Sequence, residues 1–182
     1  MMHTRKTRAL TCALTAALAL SLAACDGGRE YTVLSEACGI PLDEAKLDPF
    51  LVDGKEMRAA DQDFLDPSEH SGFCSIIVDS EPVAVLRVDI VDKVYDPMDP
   101  SEAFRFTNRK KMDDLPFEGL GALGDNQSMV STDCKGPEVD ALITYVSADP
   151  GDAEDIDRHR SALRALTLDL VPKVKKKLRC TV

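Results

Sequence analysis

The fold is decided by the stretch Val83-Ala84-Val85-Leu86-Arg87-Val88-Asp89-Ile90-Val91. Apolar side chains fall on one face of this stretch, while Arg87 and Asp89 fall on the other. This alternation is typical of an antiparallel strand with one buried face. The segment 73–79 predicts a second strand, and Ser80-Glu81-Pro82 joins the two strands as a hairpin.

Three further elements are predicted towards the C-terminus: strands over 127–133 and about 140–147, and a helix from Ile156. The helix carries an apolar stripe at intervals of three and four, formed by Leu163, Leu166, Leu170, Val174 and Leu178. Pro172 predicts a kink or two helices in succession. The sequence therefore predicts a single α+β domain, an antiparallel sheet covered by helices with a long C-terminal helix.

The remaining segments are less regular. The segment 38–45 predicts the start of a helix with Pro41 near its first turn, and Asp48-Pro49 is expected to end or bend this helix. The segment 53–71 predicts an irregular connection with room for a short strand. Asp99, Pro100 and Glu102 form a capping-box pattern that predicts a helix to about Met112.

A glycine-rich stretch at 117–126 invites comparison with a phosphate-binding loop. Such a loop follows a strand, precedes a helix and usually contains a lysine. A strand is predicted directly after this stretch instead, so a phosphate site is disfavoured.

The chain begins with the pattern of an export signal. Basic residues lead into an apolar run that starts near Ala9 and ends in Leu22-Ala23-Ala24-Cys25. The run is short for a membrane span, and small residues before a cysteine are typical of a lipoprotein signal, whose cysteine takes a diacylglyceryl chain. In the alternative, a plain secretion signal, Cys25 is only a small apolar residue near the cleavage point.

These features divide the chain into a lipoprotein signal peptide over 1–24, lipidated Cys25 with a tether over 25–37, and a globular domain over 38–182. The predicted location is the extracytoplasmic face of the cell membrane, with the lipid as anchor. The 158 residues from Cys25 onwards are enough for one compact domain.

The charge of the mature chain limits its partners. The signal segment contains the cations Arg5, Lys6 and Arg8 and no acid, so its removal changes the formal net charge from −10 to −13. Nucleic acids and anionic membrane surfaces attract basic patches. We therefore predict that the protein does not bind nucleic acid and that its domain does not lie on an anionic surface.

Four cysteines are left after export and lipidation: Cys38, Cys74, Cys134 and Cys180. An even number in an exported domain predicts two disulfides, for which three connectivities exist. We favour the neighbouring pairs Cys38–Cys74 and Cys134–Cys180, each worth about 4 kcal/mol on the loop-entropy model. A metal site is disfavoured because the thiols are widely spaced and no Cys-x-x-Cys occurs.

Candidate chemical groups are few. His70 is expected in a solvated loop and His159 on the exposed side of the last helix. Acidic residues cluster before and at the start of that helix, at Asp149, Asp152, Glu154, Asp155 and Asp157, and could bind calcium, although helix-start acids explain them equally well. A basic run near the helix end, Lys173, Lys175, Lys176, Lys177 and Arg179, fits either an anionic partner or the helix dipole.

The arrangement as a whole resembles a known group. It has a Cys-Gly before a short helix, a cysteine in the first strand of a hairpin, a Gly-Leu-Gly stretch before the later strands, and a final helix that ends in Leu178-Arg179-Cys180. In these features the chain is similar to small actinobacterial lipoproteins of unknown function. The resemblance implies a two-disulfide α+β fold and a membrane location; it implies no activity.

The sequence contains no recognisable catalytic, metal-binding or cofactor-binding motif. We therefore expect a non-enzymatic binding or interaction module that recognises an envelope protein or a small molecule. Two alternatives are a hydrolase-like enzyme that uses His70 or an acid pair, and a structural component of the envelope.

Overall fold

The computed structural model describes residues 28–151 and 155–181. Within these ranges an antiparallel sheet and a long C-terminal helix form one α+β domain, as the alternation in 83–91 predicts. The predicted signal peptide over 1–24 and Cys25 lie outside the described residues.

The domain begins with a small hairpin of β1 (Glu36–Ala37) and β2 (Ile40–Pro41). A short helix α1 (Glu44–Leu47) follows, and the Asp43 side chain caps it by accepting the Ala45 N–H at 3.0 Å. A 3-10 turn, Asp48–Phe50, completes this part. The predicted helix entry over 38–45 lies nearer to Glu44 than expected, because Pro41, predicted near the first turn, pairs with Glu36 in the hairpin.

The main sheet of the described residues has seven antiparallel strands. In chain order they are β3 (Met57–Gln62), β4 (Ser71–Val78), β5 (Glu81–Val91), β6 (Lys110–Lys111), β7 (Leu120–Leu123), β8 (Gln127–Asp133) and β9 (Ala141–Ser147). Across the sheet their order is β3-β4-β5-β9-β8-β7-β6. The central strand β9 is buried at every position except Ser147.

The helix α2 (Ile156–Lys177) covers one face of the sheet. Its predicted apolar stripe is buried against Leu86, Leu142 and Val146 of the central strands. The alternative of two successive helices is wrong, because α2 continues through Pro172. Packing on both sides of the proline compensates for the backbone hydrogen bond that a proline lacks.

The segment 92–109 folds over the other face of the sheet, where Met129, Ile143 and Tyr145 are buried. It contains a 3-10 turn, Pro100–Arg105, which Asp99 caps as predicted. The predicted helix to about Met112 is wrong.

The helical conformation ends at Phe106, whose φ of −124° and ψ of 139° are extended. Arg109 then folds back and donates to the carbonyls of Pro97 and Asp99 at 3.0 and 2.8 Å. Glu102 does not complete a capping box, since its carboxylate pairs with Arg105. These tertiary contacts override the local helical signal.

Two other segments are more regular than predicted. The stretch 53–71, expected to be mostly irregular, contains the six-residue edge strand β3. The glycine-rich stretch contributes β7, where a Cβ added to Gly121 would lie 3.0 Å from Met112 Cβ. The glycine therefore allows the Met112 side chain to pack closely against β7.

Two disulfides, Cys38–Cys74 and Cys134–Cys180, confirm the predicted pairing. The first joins the turn between β1 and β2 to the core strand β4. The second joins the end of β8 to the chain that follows α2. Each disulfide therefore attaches a segment of little regular structure to the sheet.

The N-terminal segment packs on the domain sooner than predicted. Arg29 pairs with Gly54, and Tyr31, Val33 and Leu34 pack against the core. The predicted tether boundary at residue 37 is therefore too far along the chain, because contacts with the domain begin at Arg29.

Candidate functional site

A cleft of about 670 Å³ opens at the N-terminal end of α2. Its lining comes from the chain after α1, the chain after β9 and the first two turns of α2. The lining residues are Pro49, Phe50, Leu51, Val52, Asp149, Pro150, Gly151, Asp155, Arg158, His159 and Ala162. A volume of this size is typical of sites for small molecules.

The first wall of the cleft follows from the Asp-Pro pair that starts the 3-10 turn Asp48–Phe50. The turn buries Phe50 and Leu51 in the core, each 7% exposed. Val52 follows the turn at the surface of the domain, where it is 49% exposed. The wall therefore presents an apolar base and an exposed apolar edge.

The N-terminal segment holds this wall in place. The guanidinium of Arg29 pairs with the Asp48 carboxylate, with 2.5 Å between Nη1 and Oδ1, and donates to the Leu51 carbonyl at 2.9 Å. The Tyr31 hydroxyl donates to the Val52 carbonyl at 2.6 Å. The position of the wall thus depends on the chain that precedes the domain.

The second wall is one side of α2. Asp155 caps the helix by accepting the Arg158 N–H at 2.9 Å. Residues three and four apart share a helix face, so Asp155, Arg158, His159 and Ala162 line the cleft together.

His159 lies where the two walls meet, and the prediction of a surface position is wrong. Its imidazole is half-buried and meets the Phe50 ring edge-on, with ring centroids 5.5 Å apart. Its Nε2 atom is buried without a hydrogen-bond partner among the described residues. Burial lowers the pKa of His159 from 6.5, and the Ala148 carbonyl opposes this only in part. The lowered pKa favours the neutral form of the imidazole.

The cleft combines three kinds of group. Phe50, Leu51 and Ala162 form an apolar base, His159 adds a neutral imidazole, and charged side chains stand at the rim. A concave apolar surface with a few polar groups at its edge is suited to holding an amphiphilic molecule.

His70, the other histidine of the predicted mature chain, lies elsewhere. It is exposed in the loop before β4, and its backbone carbonyl accepts the Ile90 N–H at 2.9 Å. The structure thus brings His159, and not His70, into the cleft.

Three members of the acidic cluster make contacts within the domain, and the other two lie outside the described residues. The Asp149 carboxylate accepts the Gly151 N–H at 2.8 Å, and Asp155 caps α2. Asp157 forms an ion pair with Arg160, with 3.8 Å between Oδ1 and Nη1. Asp152 and Glu154 lie outside the described residues. Across residues 28–151 and 155–181, no three His, Cys, Asp or Glu side chains are placed to share a metal ion.

The predicted basic run lies at the opposite end of α2. Lys173 pairs with Asp169, with 2.5 Å between Nζ and Oδ2. Lys175, Lys176 and Lys177 occupy the last turn of the helix, where cations complement the helix dipole. Among the described residues, no helix is both long enough and apolar enough to cross a membrane.

A second cluster lies on the sheet face that the segment 92–109 partly covers. The guanidinium carbon of Arg87 lies 5.4 Å from the centroid of the Phe73 ring and 5.2 Å from that of the Tyr145 ring. The guanidinium carbon of Arg105 lies 5.6 Å from the centroid of the Tyr145 ring and 4.8 Å from that of the Phe104 ring. We call this alternating row, Phe73, Arg87, Tyr145, Arg105 and Phe104, the arginine ladder. Its first three members are adjacent in register across β4, β5 and β9.

Each arginine of the ladder also has a carboxylate partner. Arg87 donates to both oxygens of Asp89 at 2.7 and 2.8 Å, and Arg105 donates to Glu102 at 2.5 Å. Burial raises the pKa of Tyr145 to about 12, and the Asp89 carboxylate acts in the same direction. The ladder therefore attaches the segment 92–109 to the sheet with its charges already compensated.

No family model, curated protein or solved structure matches the chain. The resemblance to small actinobacterial lipoproteins stays a prediction from the sequence.

Proposed function

We propose that this protein is an extracytoplasmic lipoprotein, anchored to the cell membrane through Cys25, whose domain binds a ligand in the cleft at the start of α2. The observation that carries the proposal is the cleft itself, which joins an apolar base to a buried imidazole nitrogen without a partner. A buried polar atom without a hydrogen bond is costly and calls for an explanation such as strain or a functional role. Ligand binding near this atom is a functional role of that kind.

Two features support the location. The motif Leu22-Ala23-Ala24-Cys25 after a basic start and an apolar run has the pattern of a lipoprotein signal. The disulfides Cys38–Cys74 and Cys134–Cys180 are suited to an oxidising compartment. Both agree with a domain outside the cytoplasm.

The test is native mass spectrometry of the full-length protein, produced in its own bacterium and extracted from membranes with a mild non-ionic detergent without reduction. The expected mass is that of a chain that begins at acylated Cys25, plus a bound molecule that leaves on denaturation. A protein without such an adduct contradicts the ligand site, and a chain without acyl mass contradicts the anchor.

A matched pair of variants assigns the adduct to the cleft. Ala162→Phe places a large ring in the cleft, whereas Ala103→Phe adds the same ring at an exposed position of the turn Pro100–Arg105. We expect the adduct to disappear in the first variant and to stay in the second. Retention of the adduct by Ala162→Phe overturns the cleft as the site.

A further inference from the structure

We infer that the cleft opens towards the bilayer and takes the acyl chain of a membrane amphiphile whose head group is uncharged or cationic. This inference rests on the proposed function, since it uses the lipid anchor and the cleft. It adds the direction from which the ligand comes and the chemical class of the ligand.

The chain that connects lipidated Cys25 to the described domain is short. Only three chain steps join Cys25 to Gly28, the first described residue, so at most about 11 Å separates their Cα atoms. The next residue, Arg29, already bonds to Asp48 and to the Leu51 carbonyl at the cleft wall. A lipid on Cys25 therefore holds this wall close to the membrane surface.

Two of the five exposed large apolar side chains among the described residues lie at the same end of the domain. Val52 forms the edge of the cleft and is 49% exposed, and Ile156, in the turn before His159, is 36% exposed. Such side chains gain free energy when a membrane removes them from water. The lysines of the last turn of α2 lie at the other end of a 22-residue helix, about 33 Å long.

The rim charges select the head group. Among the described residues that line the cleft, Asp149 and Asp155 stand against one cation, Arg158. Asp53 follows Val52 directly, and the Arg29 guanidinium at the wall is already paired with Asp48. The neutral imidazole of His159 adds no positive charge. An anionic head group would meet an excess of carboxylates, whereas an uncharged or cationic one would not.

The orientation is tested with single tryptophans, because the chain contains none. Val52→Trp places the reporter at the cleft edge, and Lys176→Trp places it at an exposed position of the same helix, about 25 Å beyond His159. The acylated proteins are reconstituted in phosphatidylcholine vesicles with brominated acyl chains. We expect several-fold stronger quenching at position 52, and loss of that difference when a Gly-Ser linker is inserted between Gly27 and Gly28. Equal quenching at the two positions overturns the orientation.

The ligand class is tested in vesicles of unbrominated phosphatidylcholine. A pyrene-labelled monoacylglycerol provides an uncharged head group, and pyrene-labelled phosphatidic acid provides an anionic one. We expect energy transfer from Val52→Trp to the first probe to exceed transfer to the second several-fold, and to fall when Ala162→Phe is added but not when Ala103→Phe is added. Equal transfer to the two probes overturns the head-group selection.

The experiments distinguish failure of the membrane inference from failure of the proposed ligand site. If the adduct in native mass spectrometry depends on Ala162 but position 52 is not quenched, the proposed function stands and the membrane inference falls. If Ala162→Phe changes neither the adduct nor the transfer to pyrene, both fall.

Discussion

The cleft and the arginine ladder are both built from aromatic and charged side chains, yet they differ in how completely those groups are paired. In the ladder, Arg87 has the Asp89 carboxylate and two aromatic rings as partners. In the cleft, His159 Nε2 is buried without a hydrogen bond among the described residues, and Val52 is exposed. The paired cluster fixes one part of the fold to another, whereas the cleft contains the unpaired group on which the proposed binding site rests.

This contrast separates stability from binding. Substitutions in the ladder are expected to lower the free energy of unfolding and to leave the ligand adduct of the folded protein unchanged. Substitutions in the cleft are expected to remove the ligand adduct and to leave the free energy of unfolding at pH 7 nearly unchanged. Three changes, taken from the largest expected effect to the smallest, test the distinction.

The largest effect is expected for Tyr145→Ala. Tyr145 is 4% exposed and contacts both arginines of the ladder. Loss of a buried aromatic ring costs about 3–5 kcal/mol, which urea denaturation would show as a lower midpoint. Tyr145→Phe keeps the ring and is the control, with a cost below about 1.5 kcal/mol. An Ala variant that keeps its stability but loses the adduct would make the ladder the binding site.

An intermediate effect is expected for Arg87→Met, which keeps an apolar chain of similar length but removes two hydrogen bonds to Asp89 and the contacts with Phe73 and Tyr145. Because Arg87 is only half-buried, we expect a loss of about 1–2 kcal/mol in the same denaturation experiment. Arg58→Met, at an exposed position of the edge strand β3, is the matched control and should stay within about 0.5 kcal/mol of the parent protein. Equal losses in both variants would mean that the ladder contributes nothing specific.

The smallest effect concerns pH. Because burial lowers the pKa of His159, the unfolded chain binds the proton more readily, and the stability from the neutral imidazole is lost as the pH falls below 6.5. Unfolding at pH 7 and pH 5 should therefore show a smaller acid-induced loss for His159→Gln than for the parent protein. His70→Gln, at the exposed histidine, is the control and should behave as the parent does. An unchanged pH dependence in His159→Gln would place His159 in contact with solvent.

Much of the scaffold could be predicted from the sequence, because the apolar residues of a strand or helix repeat at fixed intervals within a short stretch of chain. The alternation in 83–91 predicts β5, and the stripe from Leu163 to Val174 predicts α2. Of the three connectivities that the sequence left open, the favoured pairing of neighbouring cysteines is the one present. The predicted helix to Met112 failed because the contacts that end it, from Arg109 to Pro97 and Asp99, belong to the folded segment and leave no periodic pattern.

The candidate site could not be predicted in the same way. Phe50 and His159 meet only because α1 and the start of α2 are adjacent in space, across more than a hundred residues of chain. The helical period placed His159 on a polar side of α2, but this side faces the cleft wall instead of water. The ladder likewise depends on strand register, which brings Phe73, Arg87 and Tyr145 side by side.

The disulfide Cys38–Cys74 has a mechanical consequence for an anchored protein. Tension applied at the N-terminus is borne first by the contacts of Arg29 and Tyr31, and at Cys38 it passes through a covalent bond into β4 at the interior of the sheet. Only the residues before Cys38 can be drawn out, by about 35 Å when fully extended. In a protein anchored as we propose, the cleft wall is therefore the first part of the domain that a pull on the anchor deforms, before the load reaches the sheet.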